Sequence, residues 1–274
     1  MDTLAQAIVM GVVQGLTEFL PVSSSGHLII VPYLAGWHDP FITSLAFSVM
    51  LHIGTLVALL LYFRGDWLRL IPAGFATIRD RSFDGDPDRR TAWLLVVATV
   101  PALVIGVLLN DVVEKRFREV GLVALMLVVG GAILWLAERR GSRRLLGVDL
   151  TFPKAVGIGL AQAIALVPGI SRSGISISAG LFAGLDRESA ARFSFLMATP
   201  VTAAAAAYET LKVVRGDIGV AVEVGPMLAG MATSLIFGVV AIAALLRFLR
   251  TRSTDIFVAY RVVLAAIVLV TWLG

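Results

Sequence analysis

Apolar positions along the chain gather into long blocks separated by short polar segments. A helix needs about 20 apolar residues to cross a hydrocarbon core, and six stretches meet that length: about 41 to 63, 92 to 109, 120 to 137, 193 to 211, 226 to 246 and 256 to 273. Four more apolar pieces, about 4 to 20, 27 to 36, 155 to 167 and 174 to 185, are too short to span. They occur as consecutive pairs, each broken by a Pro-containing polar turn, LPVSSSG in the first and VPGISRSG in the second. This pattern predicts two re-entrant helical hairpins whose irregular tips sit at membrane depth. Such tips are tolerated only where protein covers them or they line a wet cavity.

Charge gives the layout an orientation. With six spans and two same-side hairpins, segments 64 to 91, 138 to 154, 186 to 192 and 247 to 255 share one side and carry 16 Lys/Arg. The opposite side, made of the N-terminus, 110 to 119, 212 to 225 and the C-terminus, carries five. The positive-inside rule makes the first side cytoplasmic. Both termini are then expected outside, with the first hairpin entering from outside and the second from the cytoplasm.

An internal repeat points the same way. At an offset of 148, Gly11, Gln14, Ser23, Ser25 and Gly26 meet Gly159, Gln162, Ser171, Ser173 and Gly174. The predicted fold is an all-α polytopic membrane protein forming a single membrane domain. Its halves, about 1 to 140 and 150 to 274, each hold one hairpin and three spans and are joined by a basic cytoplasmic loop. An odd number of crossings per half inverts the second half, and inverted repeats with broken helices place their site where the discontinuities meet.

Composition agrees: of 274 residues 58% are hydrophobic and 15% charged, with mean hydropathy +0.90. Several long blocks do not fit a removable signal peptide. The absence of cysteine excludes disulfides, thiolate metal sites and a cysteine nucleophile. Net charge +4 and pI about 9.8 would suit a nucleic-acid binder, but the basic residues lie between apolar blocks, where topology accounts for them. No nucleic-acid partner is expected.

The chemistry gathers at the two turns. Gln14 and Glu18 are spaced i, i+4 and share one helix face. An ionisable group in hydrocarbon costs at least ~2.5–3.5 kcal/mol, so Glu18 needs a partner, a metal or water; the alternative is an interfacial glutamate near a helix end. Ser23, Ser24 and Ser25 are candidate N-caps for the next helix. His27 opens that helix, where N–H groups and the dipole favour an anion. In the second turn, Arg172 presents a planar fork suited to phosphate or carboxylate. Ser171, Ser173 and Ser176, with the N–H groups of the helix starting near Gly174, would complete an oxyanion cradle. An Arg172–Glu18 ion pair joining the hairpins is an alternative role, compatible with the first if the pair opens for substrate. His52 and Arg261 read as hydrogen-bonded or snorkelling and His38 as a loop residue. Arg139, Arg140, Arg143 and Arg144 form a basic cluster that fixes orientation and meets anionic lipid, and Arg79 to Arg90 reads as a solvated loop.

With QGLTEFLPVSSSGH in one half and AQAIALVPGISRSGISISAGL followed by ARFSFLMATP in the other, the chain resembles the undecaprenyl-diphosphate phosphatases, the bacitracin-resistance membrane proteins of bacteria. Gln14, Glu18, Ser23, Ser24 and His27 match the family's first motif, and Pro168, Gly169, Ser171, Arg172 and Ser173 its second, with Ser176 in place of a threonine. The resemblance implies hydrolysis of undecaprenyl diphosphate to the monophosphate in the bacterial cytoplasmic (inner) membrane, recycling a lipid carrier of envelope synthesis. It also implies a divalent cation, Mg2+ or Ca2+. In that reading Glu18, Ser24, His27 and Arg172 are catalytic. Gln14, Ser23, Ser171, Ser173, Ser176, Gly169 and Gly174 bind substrate, and Glu18 helps hold the cation. His27 is nucleophile or acid/base, with attack by the histidine or by a histidine-activated serine. The family has Glu or Gln at the position of Gln14, and Gln14 in place of the glutamate variant removes one possible charge from the cation site. The expected partners are the polyprenyl diphosphate and membrane lipids, with a homodimer left open. The alternative function is a secondary transporter or lipid flippase using the same inverted-repeat site.

Overall fold

The computed structural model describes residues 1–143, 145–215 and 221–273, and of these the side chains of all but 110–116, 148, 209, 213 and 214. Its helices are α1 (Thr3–Phe19), α2 (Ser24–Ala35), α3 (Leu45–Tyr62), α4 (Arg64–Asp80), α5 (Pro87–Arg116), α6 (Val120–Arg140), α7 (Phe152–Ile164), α8 (Arg172–Phe182), α9 (Arg187–Arg215), α10 (Val224–Leu249) and α11 (Asp255–Leu273). Six of them, α3, α5, α6, α9, α10 and α11, are long and apolar enough to cross a membrane. The chain is thus an all-helical multi-pass membrane protein. The short apolar pieces are the pairs α1/α2 and α7/α8, each joined through its polar turn.

Polar residues set the helix starts. Asp2, Ser23, Ser44 and Ser171 accept the N–H of Ala5, Gly26, Phe47 and Gly174, capping α1, α2, α3 and α8. Small residues set how closely the helices approach. A Cβ on Gly11 would lie 2.3 Å from Gly230 O on α10, and one on its repeat counterpart Gly159 would lie 2.0 Å from Ala98 O on α5. Each short pair therefore packs backbone to backbone against a spanning helix. The largest core cluster joins residues of α1, α3, α9 and α10, with Phe19 meeting Phe195 edge-on at 5.3 Å between ring centres.

One expectation for the basic face is corrected. Segment 64 to 91 holds helix α4, and the Arg79-to-Arg90 loop shrinks to 81–86 between α4 and α5, with Arg89 reaching back to Asp80 at 2.7 Å. Two arginines of the cluster at the end of α6, Arg139 and Arg143, meet carboxylates. Arg139 pairs with Asp255 at 3.0 Å, while Arg143 and Arg187 converge with Thr254 on buried Glu138. Burying a carboxylate demands such partners. Arg144 and residues 216–220 of the opposite loop lie outside the described residues.

Candidate active site

The two polar turns meet. Ser23 and Ser171 share an uncommon backbone, φ 75° and 77°, and the same cap, each side chain accepting the N–H three residues on. Positive φ is strained for residues other than glycine and persists where surrounding contacts hold it. Those contacts are visible here. Ser23 Oγ also accepts the N–H of Gly169 at 3.1 Å, and Ser173 Oγ donates to Leu20 O at 3.0 Å, so each turn's serine bonds the other turn's backbone. Gly169, at φ +98°, is required by space as well as conformation, since a Cβ there would lie 2.5 Å from Val123 O.

Glu18 is the centre of the site. Its Oε1 takes Arg172 Nη2 at 2.6 Å, and its Oε2 takes Ser24 Oγ at 2.6 Å and Gln14 Nε2 at 3.0 Å. His52 Nε2 stands 3.3 Å from the same Oε2. Its Nδ1 lies 2.7 Å from Ser48 O and must donate there, because a carbonyl only accepts. Nε2 therefore carries a proton toward Glu18 only when the ring is an imidazolium. The other arm of Arg172 donates to Thr202 Oγ1 at 2.6 Å, which fixes the fork between α1 and α9.

Of the residues named from sequence, Gln14, Glu18, Ser24 and Arg172 are joined directly, and Ser23, Gly169, Ser171, Ser173 and Gly174 form the interlocked turns behind them. His27 is not part of the Glu18 cluster. Its Nδ1 faces Ser23 O at 2.7 Å and its Nε2 faces Tyr260 Oη at 2.7 Å, so both nitrogens are engaged away from Ser24. Ser176 Oγ is buried with no partner among the described residues.

Sequence reasoning missed Thr202 and Tyr260, and it read His52 and Arg261 as hydrogen-bonded or snorkelling without placing them at the site. His52 and Arg261 carried a signal, a polar or charged group inside an apolar block, but its destination was not legible. Thr202 and Tyr260 carried none. Arg261 is fully buried and donates to Leu127 O at 2.9 Å, Gly169 O at 2.7 Å, Ile170 O at 2.9 Å and Pro21 O at 3.3 Å.

A cleft of about 150 Å³ adjoins the cluster, lined by Ser25 of the first turn, Pro168 of the second, and Ser48, His52 and Arg118. It reaches Leu45 at the start of α3, and a separate apolar cavity of about 430 Å³ lies past the other end of α3, between α4 and α5.

A hard divalent cation was expected at Glu18. Among the described residues no group of three or more His, Cys, Asp or Glu comes together. Gln14 Oε1, however, is a buried oxygen beside that carboxylate with no partner among the described residues. One carboxylate and one amide oxygen form a sparse set of the kind Mg2+ uses when substrate phosphates complete its shell.

Comparison with known proteins adds the lineage. A family model described as "Bacitracin resistance protein BacA" matches residues 7–267. A protein of Desulforudis audaxviator named undecaprenyl-diphosphatase is 44% identical over 265 residues, covering 97% of this chain and 96% of its own. Proteins of the same name from Gemmatimonas aurantiaca and Thermomicrobium roseum are 45% and 46% identical, over 269 and 273 residues, with 98% and 96% of each chain covered.

Proposed function

The chain belongs to the bacitracin resistance protein BacA family, and from that premise and the cluster around Glu18 we propose how it acts as an undecaprenyl-diphosphatase. It hydrolyses undecaprenyl diphosphate to undecaprenyl phosphate and inorganic phosphate, an activity that serves cell-wall synthesis and bacitracin resistance. The relatives are named for hydrolysis, and no observation favours the transporter or flippase alternative.

The observation that carries the mechanism is the bridge Ser24 Oγ–Glu18–Arg172, which joins a hydroxyl, a base and a phosphate clamp across the two turns. Ser24 attacks the terminal phosphorus and Glu18 takes the hydroxyl proton. Arg172 leaves the carboxylate for the phosphoryl oxygens, whose charge is the main thing to be stabilised in phosphoryl transfer. The bond to the bridging oxygen breaks and undecaprenyl phosphate leaves, taking the proton that Glu18 had accepted. Water then attacks the phosphoserine, gives its proton to Glu18, and Ser24 departs with a proton returned by Glu18. His27, with both nitrogens occupied, shapes the first turn rather than attacking. Glu18 and Gln14 Oε1 would hold a Mg2+ or Ca2+ ion, which supplies further neutralisation of the diphosphate.

The matched Ser23 and Ser171 turns, 148 residues apart with the same cap and backbone, support an inverted repeat with two re-entrant hairpins. The cleft beside His52 and Arg118 opens on the side with fewer positive charges, which fits an outer-leaflet diphosphate in the bacterial inner membrane, both termini outside and the prenyl tail leaving between helices into the bilayer.

The test is phosphate release from undecaprenyl diphosphate by purified protein in detergent with Mg2+ or Ca2+, using Arg172→Ala and Ser24→Ala as controls. Wild type releases phosphate and both variants lose it. No release by wild type, or full release by either variant, ends this reading.

A further inference from the structure

Arg261 is a cation held behind both turns, hydrogen-bonded among the described residues to backbone oxygens. All its hydrogen bonds go to carbonyls, those of Pro21 in the first turn, Gly169 and Ile170 in the second, and Met126 and Leu127 on α6. Among the described residues no carboxylate pairs with it. Arg172, by contrast, is matched by Glu18 at 2.6 Å. Two glycines make the slot: a Cβ on Gly130 would lie 2.3 Å from Arg261 Nη2, and one on Gly174 would lie 3.0 Å from Nη1. A buried unpaired guanidinium is costly, so a fold that builds a slot for one invites the question of what anion balances it.

We infer that Arg261 is the positioning residue that locks the two turns together and gives the phosphate cradle its net positive charge, the balancing anion being the substrate's diphosphate. Because no peptide bond here is cis, drawing the Ile170 carbonyl toward the guanidinium turns the N–H of Ser171, in the same planar unit, away from it. Arg261 Nη1 sits against Gly174, at the N-terminal end of α8, so its charge adds to the helix-end field. With Glu18 cancelling Arg172 before substrate arrives, Arg261 leaves the site cationic. A diphosphate then enters a positive cavity instead of a neutral one.

This inference rests on the hydrolytic reading for the identity of the anion, and its test does not depend on turnover. Inorganic phosphate is titrated into purified wild type, Arg261→Lys and Arg261→Gln, reading the dissociation constant from phosphate-dependent thermal stabilisation, with kcat and KM for phosphate release measured alongside. Both variants melt lower than wild type because the carbonyl network is broken in each. Arg261→Lys, which keeps the charge, holds phosphate within about threefold of wild type, whereas Arg261→Gln weakens it at least about tenfold and raises KM more than it lowers kcat. A merely structural role would weaken both variants alike. Should Arg261→Gln not fold, Arg261→Met, which also removes the charge, gives the same loss. Equal phosphate affinity in all folded variants, equal loss in Lys and Gln, or a wild type that phosphate does not stabilise overturns the proposal. Intact phosphate binding in a wild type that releases none overturns the hydrolytic reading instead.

Discussion

Glu18 and Arg172, 154 positions apart, form a 2.6 Å ion pair that spans the two turns, with the carboxylate 6% and the guanidinium 22% exposed. Each half of the molecule contributes one charge. The pair has a stabilising role at rest and a chemical one once substrate separates it, and these two roles give different mutational signatures.

Stability should respond non-additively. Arg172→Gln leaves a buried carboxylate with weaker partners, a change that costs about 3–5 kcal/mol when a buried pair is broken from one side. Glu18→Gln with Arg172→Gln removes both charges, so the double variant is expected to melt above Arg172→Gln. Thermal unfolding in one detergent measures the cycle; additive losses would show that the pair does not couple the halves.

Catalysis should be lost in a different order. Ser24→Ala removes the hydroxyl that donates to Glu18 at 2.6 Å and is expected to lower kcat at least ~10³-fold, the scale on which a nucleophile's removal leaves only binding and charge stabilisation. His27→Gln, away from Glu18, is expected to cost less than Ser24→Ala. Phosphate-release kinetics on both variants compare them directly, and the reverse order would return the nucleophile's role to the histidine.

How legible this was in sequence depended on range. The six spans were readable because each apolar block is as long as a membrane is thick, and the two pairs of short helices because Pro168 and Pro21 interrupt blocks too short to cross. Helix α4 was not, because its apolar stripe, Leu68, Ile71, Phe75 and Ile78, is interleaved with Arg64, Asp66 and Arg69 and falls below spanning length. Gln14, Glu18 and Arg172 stood out as polar groups where hydrocarbon is expected. What their neighbours do was hidden. Tyr260 meets His27 across 233 residues, and Arg261 binds carbonyls, which leave no side-chain pattern to read.

His52 offers a finer test of the Glu18 environment. Because Nδ1 donates to Ser48 O, the ring helps Glu18 through Nε2 alone. His52→Gln can present an amide N–H to the same carboxylate oxygen, whereas His52→Ala cannot. Gln is therefore expected to retain most activity and Ala to lose up to about 10²-fold, the scale of a lost hydrogen bond to a charged group. Equal kcat values in the two variants would remove His52 from the reaction.

Glycine replacement separates conformation from helix propensity. Gly169→Ala must hold a left-handed φ of +98° against Val123 O and Met126 Cβ, so it should destabilise by more than ~1–2 kcal/mol. Gly157→Ala, in α7 with nothing within 4 Å of the new Cβ, should stabilise by ~0.5–1 kcal/mol. Melting temperatures moving the same way in both would contradict the packing described for the second turn.

Orientation is accessible because the chain has no cysteine, so any introduced thiol is unique. Gly65, Gly147 and Gly225 each accept a side chain with no atom within 4 Å, which keeps the substitutions mild. Gly65 and Gly147 lie in the segments that share 16 Lys/Arg, and Gly225 in those with five. The charge difference is held at the cytoplasmic face during insertion, so a membrane-impermeant maleimide added to intact spheroplasts should label Gly225→Cys and leave Gly65→Cys and Gly147→Cys untouched until the membrane is opened. The cleft beside His52 lies at the Leu45 end of α3, whereas Gly65 follows α3 at its other end. The same labelling therefore fixes which leaflet delivers the diphosphate, and the opposite pattern would turn the site toward the cytoplasm.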